Sequence, residues 1–368
     1  MTQPHSEYAD RDSLVPNPLV SVVMPTYNHE RYLGEAIEGV LAQKTAFPFE
    51  LIIGDDCSTD GSRSIALRYQ REHPRIVRVF SSETRVGMHE NDARIFAAAR
   101  GAYMAFCEGD DCWHRADKLS DQVALLENDP KVSLVCSSWR TVSDDGVLLV
   151  SDVLALDKGR VQPLGLNDIL TGRVKTVTVC TRTAMIQRAL RDSPLCRPGR
   201  YPFGDAPLWV EASRHGHCIC LPHDYATYRL SRYSVTRPRD IMDVYRFIAG
   251  ASEFERDVLS LYPLPQGEEA ALEARIQATR RRLRALALLG EASQVREEFS
   301  WLCRLGAKAR IRDHLLYVVS MLSQPGTFGA ASRKWALVRW HALTHRRAKL
   351  IATVSRPQGE AQAAETSA

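Results

Sequence analysis

The sequence predicts an α/β fold: helices cover both faces of a Rossmann-like, mainly parallel sheet, and a basic helical C-terminal extension follows. The sheet is predicted because short apolar runs alternate with helix-like segments over residues 18–137. The extension is predicted because residues 271–350 contain 16 Lys/Arg and 5 Asp/Glu, a net charge of +11 in a chain whose total is +4. The rest of the chain therefore carries −7, and we expect the two parts to face different partners.

The alternation is clearest in the first half of the chain. The predicted strands are 20–24, 51–53, 76–80, 103–107 and 132–137. The predicted helices are 32–43, 62–72, 92–100 and 119–127. Short, continuous apolar runs are typical of parallel strands that are buried on both faces, so these strands should form the centre of the sheet.

The second half is less regular. Asp144-Asp145-Gly146 predicts a hairpin turn, and the other predicted elements are strands at 176–181 and 217–221 and a helix at 207–214. From residue 241 the pattern is helical and basic. The predicted divisions are a flexible N-terminus (1–17), an α/β domain (18–236) with halves 18–137 and 138–236, a basic helical region (237–352) and a disordered tail (353–368).

The composition is that of an ordinary soluble globular protein, with 45% hydrophobic and 25% charged residues. Residues 1–17 lack the basic and apolar regions of a signal peptide, and no apolar run reaches the roughly 18–20 residues that span a bilayer. Nine cysteines, an odd number without disulfide-like grouping, predict free thiols in a reducing compartment. We therefore expect a cytoplasmic protein.

Paired carboxylates follow two of the predicted strands. Asp55 and Asp56 come after the second strand, and Asp110 and Asp111 after the fourth. Carboxylates are ligands for Mg²⁺ or Mn²⁺, and open α/β sheets bind their ligands at the carboxyl ends of strands. A metal-dependent enzyme of nucleotide sugars is the first hypothesis. The competing interpretation is that Asp110 and Asp111 cap a helix that opens at residues 113–115.

The end of the first strand excludes one class of enzyme. It reads Pro25-Thr26-Tyr27-Asn28 and lacks the G-x-G-x-x-G turn that a dinucleotide-binding Rossmann unit needs. Nicotinamide and flavin chemistry are therefore not expected. Tyr27 can instead stack on a base, and a carboxylate at the neighbouring strand end can accept a hydrogen bond from a base N–H or a ribose hydroxyl.

Four segments together resemble the inverting family 2 glycosyltransferases of GT-A fold. They are VSVVMPTYN at 20–28, ELIIGDDCSTDGS at 50–62, ARGAYMAFCEGDDCW at 99–113 and PFGDAPLW at 202–209. A single Asp-Asp pair carries little information, whereas four segments in the family's order and spacing are specific. The resemblance covers about residues 18–229 and implies a nucleotide-binding half at 18–137 and an acceptor and catalytic half at 138–236.

The resemblance implies where a nucleoside-diphosphate sugar is held. Pro25 and Tyr27 match positions that line the base pocket. Asp56 matches the carboxylate that contacts the base, and Asp55 is its neighbour. Asp110 matches a residue that approaches the sugar or ribose.

The resemblance also implies how the reaction proceeds. Asp111 matches the ligand of Mn²⁺ or Mg²⁺, and Asp205 matches the catalytic base. The alternative for Asp205 is an N-cap of the helix at 207–214. Arg229 lies where relatives keep a basic residue near the diphosphate, and its alternative is an ordinary surface arginine.

The chain departs from the family pattern in one place. The usual Arg-Asn-x-Gly signature is met only loosely by residues 85–87 and 91–94. In the family this signature supplies contacts to the donor sugar, and the departure leaves those contacts unassigned in this chain.

The His- and Cys-containing segment 215–223 raises the question of a zinc site. It matches no zinc spacing, so we interpret 217–221 as a packed strand. The basic segments 280–284, 308–312 and 335–349 suit either an anionic membrane surface or a solvated helical face packed on the body. No nucleic-acid recognition motif accompanies them, so nucleic acid is not an expected partner.

The sequence therefore predicts a glycosyltransferase that acts on a glycan or lipid-linked acceptor in envelope polysaccharide synthesis, peripheral to the inner membrane face. A nucleotidyltransferase also uses paired aspartates, but it explains neither Asp205 nor the motif at 25–28. A non-catalytic nucleotide- or glycan-binding module of the same fold is the remaining alternative.

Overall fold

A computed structural model describes residues 5–156, 160–231, 240–262, 268–307 and 313–317. The predicted α/β class is confirmed. The strands are β1 (His5–Tyr8), β2 (Val20–Thr26), β3 (Phe49–Asp55), β4 (Val77–Ser82), β5 (Tyr103–Phe106), β6 (Cys112–Trp113), β7 (Val132–Ser143), β8 (Leu148–Val150), β9 (Gln162–Leu164), β10 (Cys180–Arg182) and β11 (His217–Leu230). The helices are α1 (Leu33–Leu41), α2 (Ser62–Glu72), α3 (Met88–Ala97), α4 (Lys118–Asn128), α5 (Leu166–Leu170), α6 (Thr183–Asp192), α7 (Asp205–His215), α8 (Ile241–Leu261), α9 (Glu268–Leu289) and α10 (Ala292–Arg304).

One sheet organises the α/β part, in the order β1-β4-β3-β2-β5-β10-β7-β11-β6. Strands β4, β3, β2 and β5 run parallel, so their carboxyl ends lie at one edge. β3 and β4 are buried along their whole length, although each also contains polar or charged side chains, such as Glu50 in β3 and Arg78 in β4. Beyond β5 the sheet is mixed, because β10 inserts antiparallel between β5 and β7 while β7 and β11 run parallel to each other.

The acidic loop after β5 leads into a strand and not into a helix. Cys112 and Trp113 form β6, which pairs antiparallel with β11 at Thr227 and Ala226. The next helix, α4, begins only at Lys118. The interpretation of Asp110 and Asp111 as caps of a helix opening at 113–115 is therefore wrong: cross-strand pairing with β11 holds that stretch extended.

Three other segments differ from the sequence prediction. Residues 5–8, within the N-terminus expected to be flexible, form β1, which pairs antiparallel with β4. Residues 176–181 were expected to be one strand, but Thr176–Thr178 form a 3₁₀ turn and the strand is Cys180–Arg182. The Thr178 hydroxyl donates to the Lys175 carbonyl at 2.7 Å and closes this turn. Helix α3 begins at Met88 and not at residue 92, directly after Gly87, whose φ of +87° is a conformation that favours glycine.

Each face of the sheet packs against its own hydrophobic core. One core contains α1, α2 and α4, and the other contains α3, α6 and α7. In the second core the Trp209 ring lies edge-on to Phe106, with centroids 5.0 Å apart. Because Trp209 belongs to α7 and Phe106 to β5, this contact fixes the start of α7 relative to the strand that precedes the acidic loop.

The chain divides into two compact units. One consists of residues 1–239 and 253–271, and the other of 240–252 and 272–368. Inside the second unit Arg280 pairs with Asp313 at 3.3 Å and Arg282 with Glu298 at 2.9 Å. Two arginines of the basic run 280–284 are thus used internally. The basic segments 308–312 and 335–349 lie outside the described residues.

None of the helices described is both long enough and apolar enough to cross a bilayer. All nine cysteines are free thiols, as expected. The predicted strand at 217–221 is confirmed as the first part of β11, where Cys218 and Cys220 are buried in the core on the α3 side of the sheet.

Candidate active site

Three strand ends meet at one edge of the sheet. The Asp56 N–H donates to the Thr26 carbonyl at 3.0 Å, which joins the ends of β3 and β2. The Gly109 N–H donates to the Pro25 carbonyl at 3.1 Å, which joins the loop after β5 to the same place. Backbone pairing at a parallel edge thus brings the predicted residues into one site.

Asp56 and Tyr27 share one wall of this site. Asp56 is 2% exposed, and its carboxylate accepts the N–H groups of Val86 at 2.7 Å and Gly87 at 3.0 Å. The Arg85 guanidinium lies 4.0 Å from the centroid of the Tyr27 ring and 3.7 Å from the Asp56 carboxylate. A planar base can stack on such a surface and meet the carboxylate at its edge.

The Asp55 side chain points away from the wall formed by Asp56 and Tyr27. Its carboxylate is fully buried and accepts the Ser81 hydroxyl at 3.0 Å and the Ser58 N–H at 3.3 Å. These bonds tie β3 to β4 and to the loop that precedes α2. Asp55 therefore supports the wall from behind, one layer away from the Asp56 carboxylate.

Asp111 has one satisfied and one orphaned oxygen. Its Oδ1 accepts the backbone N–H of Arg229 at 2.7 Å, whereas its Oδ2 is buried and has no hydrogen-bond partner in the described part of the chain. Burial and the neighbouring Asp110 carboxylate raise the pKa of Asp111 well above its usual range. A divalent cation fits such an oxygen, since it would supply the direct partner that Oδ2 lacks and would stabilise the ionised carboxylate.

The rest of a metal coordination sphere is not preformed. Among the residues with described positions, no group of three or more His, Cys, Asp and Glu side chains has the geometry of a metal site. Magnesium-type ions commonly use one or two carboxylates together with substrate phosphates and water. Asp111 therefore fits as a protein ligand whose partners arrive with a phosphorylated substrate.

Carboxylates crowd around the same loop. Asp110 is half-buried, and one of its oxygens lies 3.9 Å from the His29 imidazole. Burial raises the pKa of Glu108 well above its usual range, and the charges of Asp111, Asp110, Asp205 and Asp92 raise it further. These four carboxylates, drawn from the β5–β6 loop, α7 and α3, thus lie within electrostatic range of Glu108.

Asp205 begins α7 as its first residue. Its Oδ2 accepts the Thr176 hydroxyl at 2.5 Å, and its Oδ1 accepts the Ala206 N–H at 2.8 Å. The N-cap of α7 is Gly204, which has no side chain to cap the helix. The expectation that Asp205 is the N-cap of a helix at 207–214 is therefore wrong. The Thr176 hydroxyl thus orients the Asp205 carboxylate at the start of α7.

Arg229 was expected either to clamp a diphosphate or to lie on the surface. It is 5% exposed, so the surface interpretation is wrong. Its Nε donates to the Asp110 carbonyl at 3.1 Å, and one terminal nitrogen donates to Glu35 of α1 at 2.6 Å. The guanidinium is thus engaged on the α1 side, while the backbone N–H holds Asp111.

Sequence reasoning missed Thr176 and two further residues of the site. The Lys175 ammonium lies 4.8 Å from the centroid of the Tyr228 ring and is close enough for its charge to lower the pKa of Asp111. Asp92 lies on α3, where burial and the charges of Asp205 and Asp56 raise its pKa to about 8. The sequence offered a weak indication of each: Lys175 directly precedes the predicted strand at 176–181, and Asp92 lies in the loosely met signature at 91–94.

The raised pKa of Asp92 predicts a pH-dependent stability difference. Below about pH 4 the carboxyl is protonated in both the folded and the unfolded state, so it does not affect stability. As the pH rises from 4 toward 8, the unfolded state releases this proton while the folded state retains it, and wild type loses stability. We expect Asp92→Asn to have a free energy of unfolding roughly 1 kcal/mol or more above wild type at pH 8, and nearly equal to it at pH 4. Urea unfolding in EDTA at both pH values measures this.

Glu90→Gln, an exposed carboxyl on the same helix, is the matched control and should leave both values unchanged. A stabilisation by Asp92→Asn that is equal at pH 4 and pH 8 would contradict the assigned ionisation.

Comparison with known proteins agrees with this geometry. The family model described as glycosyl transferase family 2 matches residues 21–190. The putative teichuronic acid biosynthesis glycosyltransferase TuaG of Bacillus subtilis is 38% identical over 225 residues, covering 60% of this chain and 82% of that protein. The uncharacterized protein Rv1520 of Mycobacterium tuberculosis is 41% identical over 127 residues, 34% of this chain. The chain spans 37% of the length of the first curated relatives it matches.

Solved structures share the fold. Staphylococcus aureus TarS 1–349 in complex with UDP-GlcNAc aligns over 89% of this chain and 92% of its own, with a TM-score of 0.57 and 18% identity. The mannosyltransferase PcManGT from Pyrobaculum calidifontis, in complex with GDP-Man and Mn²⁺, aligns over 90% of this chain and 89% of its own, with a TM-score of 0.50 and 15% identity. At these identities the likeness is one of fold.

Proposed function

The chain belongs to glycosyl transferase family 2, and on that premise we propose that it transfers a sugar from a nucleoside-diphosphate sugar to an acceptor hydroxyl, with inversion at the anomeric carbon. One observation carries the proposal. Glu108 lies within electrostatic range of Asp111, whose Oδ2 is orphaned, and of Asp205, whose carboxylate a helix start and a hydroxyl orient. A candidate phosphate-side ligand and a candidate base therefore belong to one site.

The proposed step needs one base and one displacement. The Asp205 carboxylate takes the proton from the acceptor hydroxyl, and the acceptor oxygen forms a bond to the anomeric carbon from the side opposite the diphosphate. The bond from that carbon to the phosphate oxygen breaks, and its electron pair leaves with the nucleoside diphosphate. The Thr176 hydroxyl, which donates to Oδ2, holds Asp205 in orientation during the transfer.

The donor's other groups have candidate partners along the sheet edge. Tyr27 and Asp56, bridged by Arg85, suit a nucleobase, with Pro25 in the same wall. We assign Asp110 to the sugar or ribose. Lys175 is a cation on the Asp111 side of the site and suits the diphosphate.

We propose that Asp111 holds Mn²⁺ or Mg²⁺ through its Oδ2. A divalent cation bound there neutralises charge that accumulates on the departing diphosphate. The orphaned oxygen supports this assignment, as does its burial, because the protein supplies no other cation in contact with that atom within the described ranges.

We propose a glycan or lipid-linked acceptor in the synthesis of envelope polysaccharide, at the cytoplasmic face of the inner membrane. The relative TuaG is named for teichuronic acid biosynthesis, and WfgD of Escherichia coli, 25% identical over 223 residues, for transfer of glucose to a GlcNAc-diphosphoundecaprenol. Both names describe glycan assembly, and the second describes a lipid-linked acceptor.

We propose that the basic C-terminal region contacts the membrane, and removing its positive charge tests this. The test variant changes Arg346, Arg347 and Lys349 together to Gln in the full-length protein. Each basic residue near an anionic surface contributes about 1 kcal/mol, so affinity for phosphatidylserine-containing liposomes is expected to fall about 100-fold in flotation assays.

The control replaces three basic residues of the α/β domain, Arg71, Arg188 and Arg191, with Gln. Arg188 and Arg191 are well exposed, with 63% and 69% of their side chains accessible, so this change tests general charge. Equal losses in the two triple variants would refute a specific membrane contact by the C-terminal region.

A donor screen tests the proposed activity. Released nucleoside diphosphate is measured with UDP-, GDP- and dTDP-sugars in the presence of Mn²⁺, with EDTA as the parallel arm. We expect release from at least one donor, and its loss in EDTA. If the protein neither binds any donor nor releases nucleoside diphosphate from it, the result would instead indicate a non-catalytic module.

A further inference from the structure

One lysine is buried in the α/β core without a carboxylate partner. Lys118, the first residue of α4, is fully shielded from solvent, and none of the described carboxylates forms an ion pair with it. Burial lowers the pKa of its ammonium group to about 8. A buried charge is costly, and the transfer described above does not use this one. Its contacts therefore indicate what the lysine does.

The Lys118 ammonium fixes the orientation of a buried glutamine. It donates to Gln122 Oε1 at 2.8 Å and lies 4.1 Å from the centroid of the Trp113 ring. Because lysine offers only donors, the amide oxygen of Gln122 must face it, and the amide nitrogen faces the other way. That nitrogen donates to the backbone carbonyls of Thr178 at 2.6 Å and Val135 at 3.2 Å. An amide can accept and donate in this way, whereas a carboxylate can only accept.

A second buried side chain holds the same 3₁₀ turn, Thr176–Thr178. The Trp113 indole N–H donates to the Val177 carbonyl at 2.9 Å. Two successive carbonyls of the turn are thus fixed by side chains, one from α4 and one from β6. Both of these side chains are buried, so water does not compete for the bonds.

The turn carries the residue that orients the candidate base. The Thr176 hydroxyl donates to Asp205 Oδ2 at 2.5 Å. A shift of the turn would therefore move this hydroxyl relative to the carboxylate, and a misplacement of about 1 Å can lower a rate about 100-fold. Trp113 lies two residues after Asp111, so the same indole also ties the acidic loop to the turn.

We propose that Lys118, Gln122 and Trp113 are positioning residues for the candidate base: they hold the turn so that the Thr176 hydroxyl orients Asp205. This inference rests on the proposed function. Among the described residues, the hydrogen bonds of the three reach Asp205 through Thr176 and not directly. A role in core stability alone would leave the rate independent of Thr176, and this difference can be measured.

A double-mutant cycle between Gln122 and Thr176 tests the proposal. Gln122→Glu keeps the size of the side chain and can still accept from Lys118, but it donates to neither carbonyl. We expect it to lower kcat about tenfold, and Thr176→Val to lower kcat about 10–100-fold. If Gln122 acts through Thr176, the double variant should be within about twofold of Thr176→Val alone. The Kd of each variant for the nucleoside diphosphate, measured by calorimetry, should stay within about twofold of wild type.

Gln43→Glu is the matched control. Gln43 is also buried, and its amide donates to a backbone carbonyl, that of Arg115, at 2.7 Å, but it makes no bond to the turn. Thermal unfolding should show a loss of stability in both glutamate variants. The control should nevertheless leave kcat within about twofold, both alone and in the Thr176→Val background.

The proposal is overturned if Gln122→Glu leaves kcat unchanged, or if its loss multiplies with that of Thr176→Val. A loss of nucleoside-diphosphate binding as large as the loss of kcat overturns it as well, because the role is then structural. Lys118→Met, which keeps the volume and removes the donor, enters the same cycle if Gln122→Glu does not fold. An active wild type whose Thr176→Val variant is equally fast overturns only this inference. Wild type that releases nucleoside diphosphate from no donor refutes the proposed function itself.

Discussion

Asp205→Asn is expected to keep its affinity for the nucleotide sugar and to lose transfer by about 10³-fold. An amide cannot take the proton of the acceptor hydroxyl at neutral pH, and removal of a general base typically costs 10²–10⁴-fold. The amide has the size of the carboxylate and can still accept the Thr176 hydroxyl, so the start of α7 should remain in place. Single-turnover transfer and donor titration on the same preparation separate the two effects.

Asp168→Asn is the matched control, since Asp168 is also a carboxylate in the first turn of a helix, but in α5. It should leave transfer within about twofold of wild type. Turnover by Asp205→Asn at the wild-type rate would remove Asp205 from the mechanism, and a loss of donor binding would show that its main role is structural.

Asp111→Asn is expected to have opposite effects on activity and on stability. Activity should fall about 10²–10³-fold at ordinary Mn²⁺ concentrations, with partial recovery at higher concentrations, because the anionic oxygen assigned to the metal is gone. In EDTA, however, the variant should unfold at a higher temperature than wild type at pH 8. The pKa of Asp111 is raised in the folded state by burial and by Asp110, so at pH 8 folding opposes an ionisation that the unfolded chain makes freely; the amide has no such cost.

Manganese titration of activity, together with thermal unfolding in EDTA and in Mn²⁺, measures both effects. Wild type should gain stability from Mn²⁺ by linkage, and Asp111→Asn should gain little. An equal gain in the two proteins would assign the metal to another residue.

The sequence was sufficient to predict the fold class, the family and the strand ends. Apolar runs without alternation indicated parallel strands, and parallel strands bring their carboxyl ends to one edge, so Tyr27, Asp56 and Asp111 could be grouped without a structure. The carboxylates of Asp55 and Asp56 could not be distinguished in this way. Their opposite directions follow from the pleat and from partners on β4 and on the loop at 85–87.

In the second half of the α/β domain the positions of the site residues could not be predicted, for two physical reasons. β10 inserts between β5 and β7, so Lys175 and Thr176 reach the site through a pairing that sequence order does not reveal. The register of β11 against β7 shifts near Leu221 and again near Asp224. Each shift changes which residues share a face, and for this reason the direction of the Arg229 side chain could not be read from the pattern.

The bond from the Arg229 N–H to Asp111 affects how this site tolerates substitution. The donor is a backbone group, so every residue type except proline can supply it at position 229. The orientation of the candidate metal ligand is therefore insensitive to the identity of that side chain. A substitution at 229 can remove the side-chain contacts with Glu35 and with the Asp110 carbonyl, while the backbone hydrogen bond to Asp111 remains. A library of all residues at this position should lose Asp111 anchoring only with proline, which makes 229 a suitable place to vary the surroundings of the site without dismantling it.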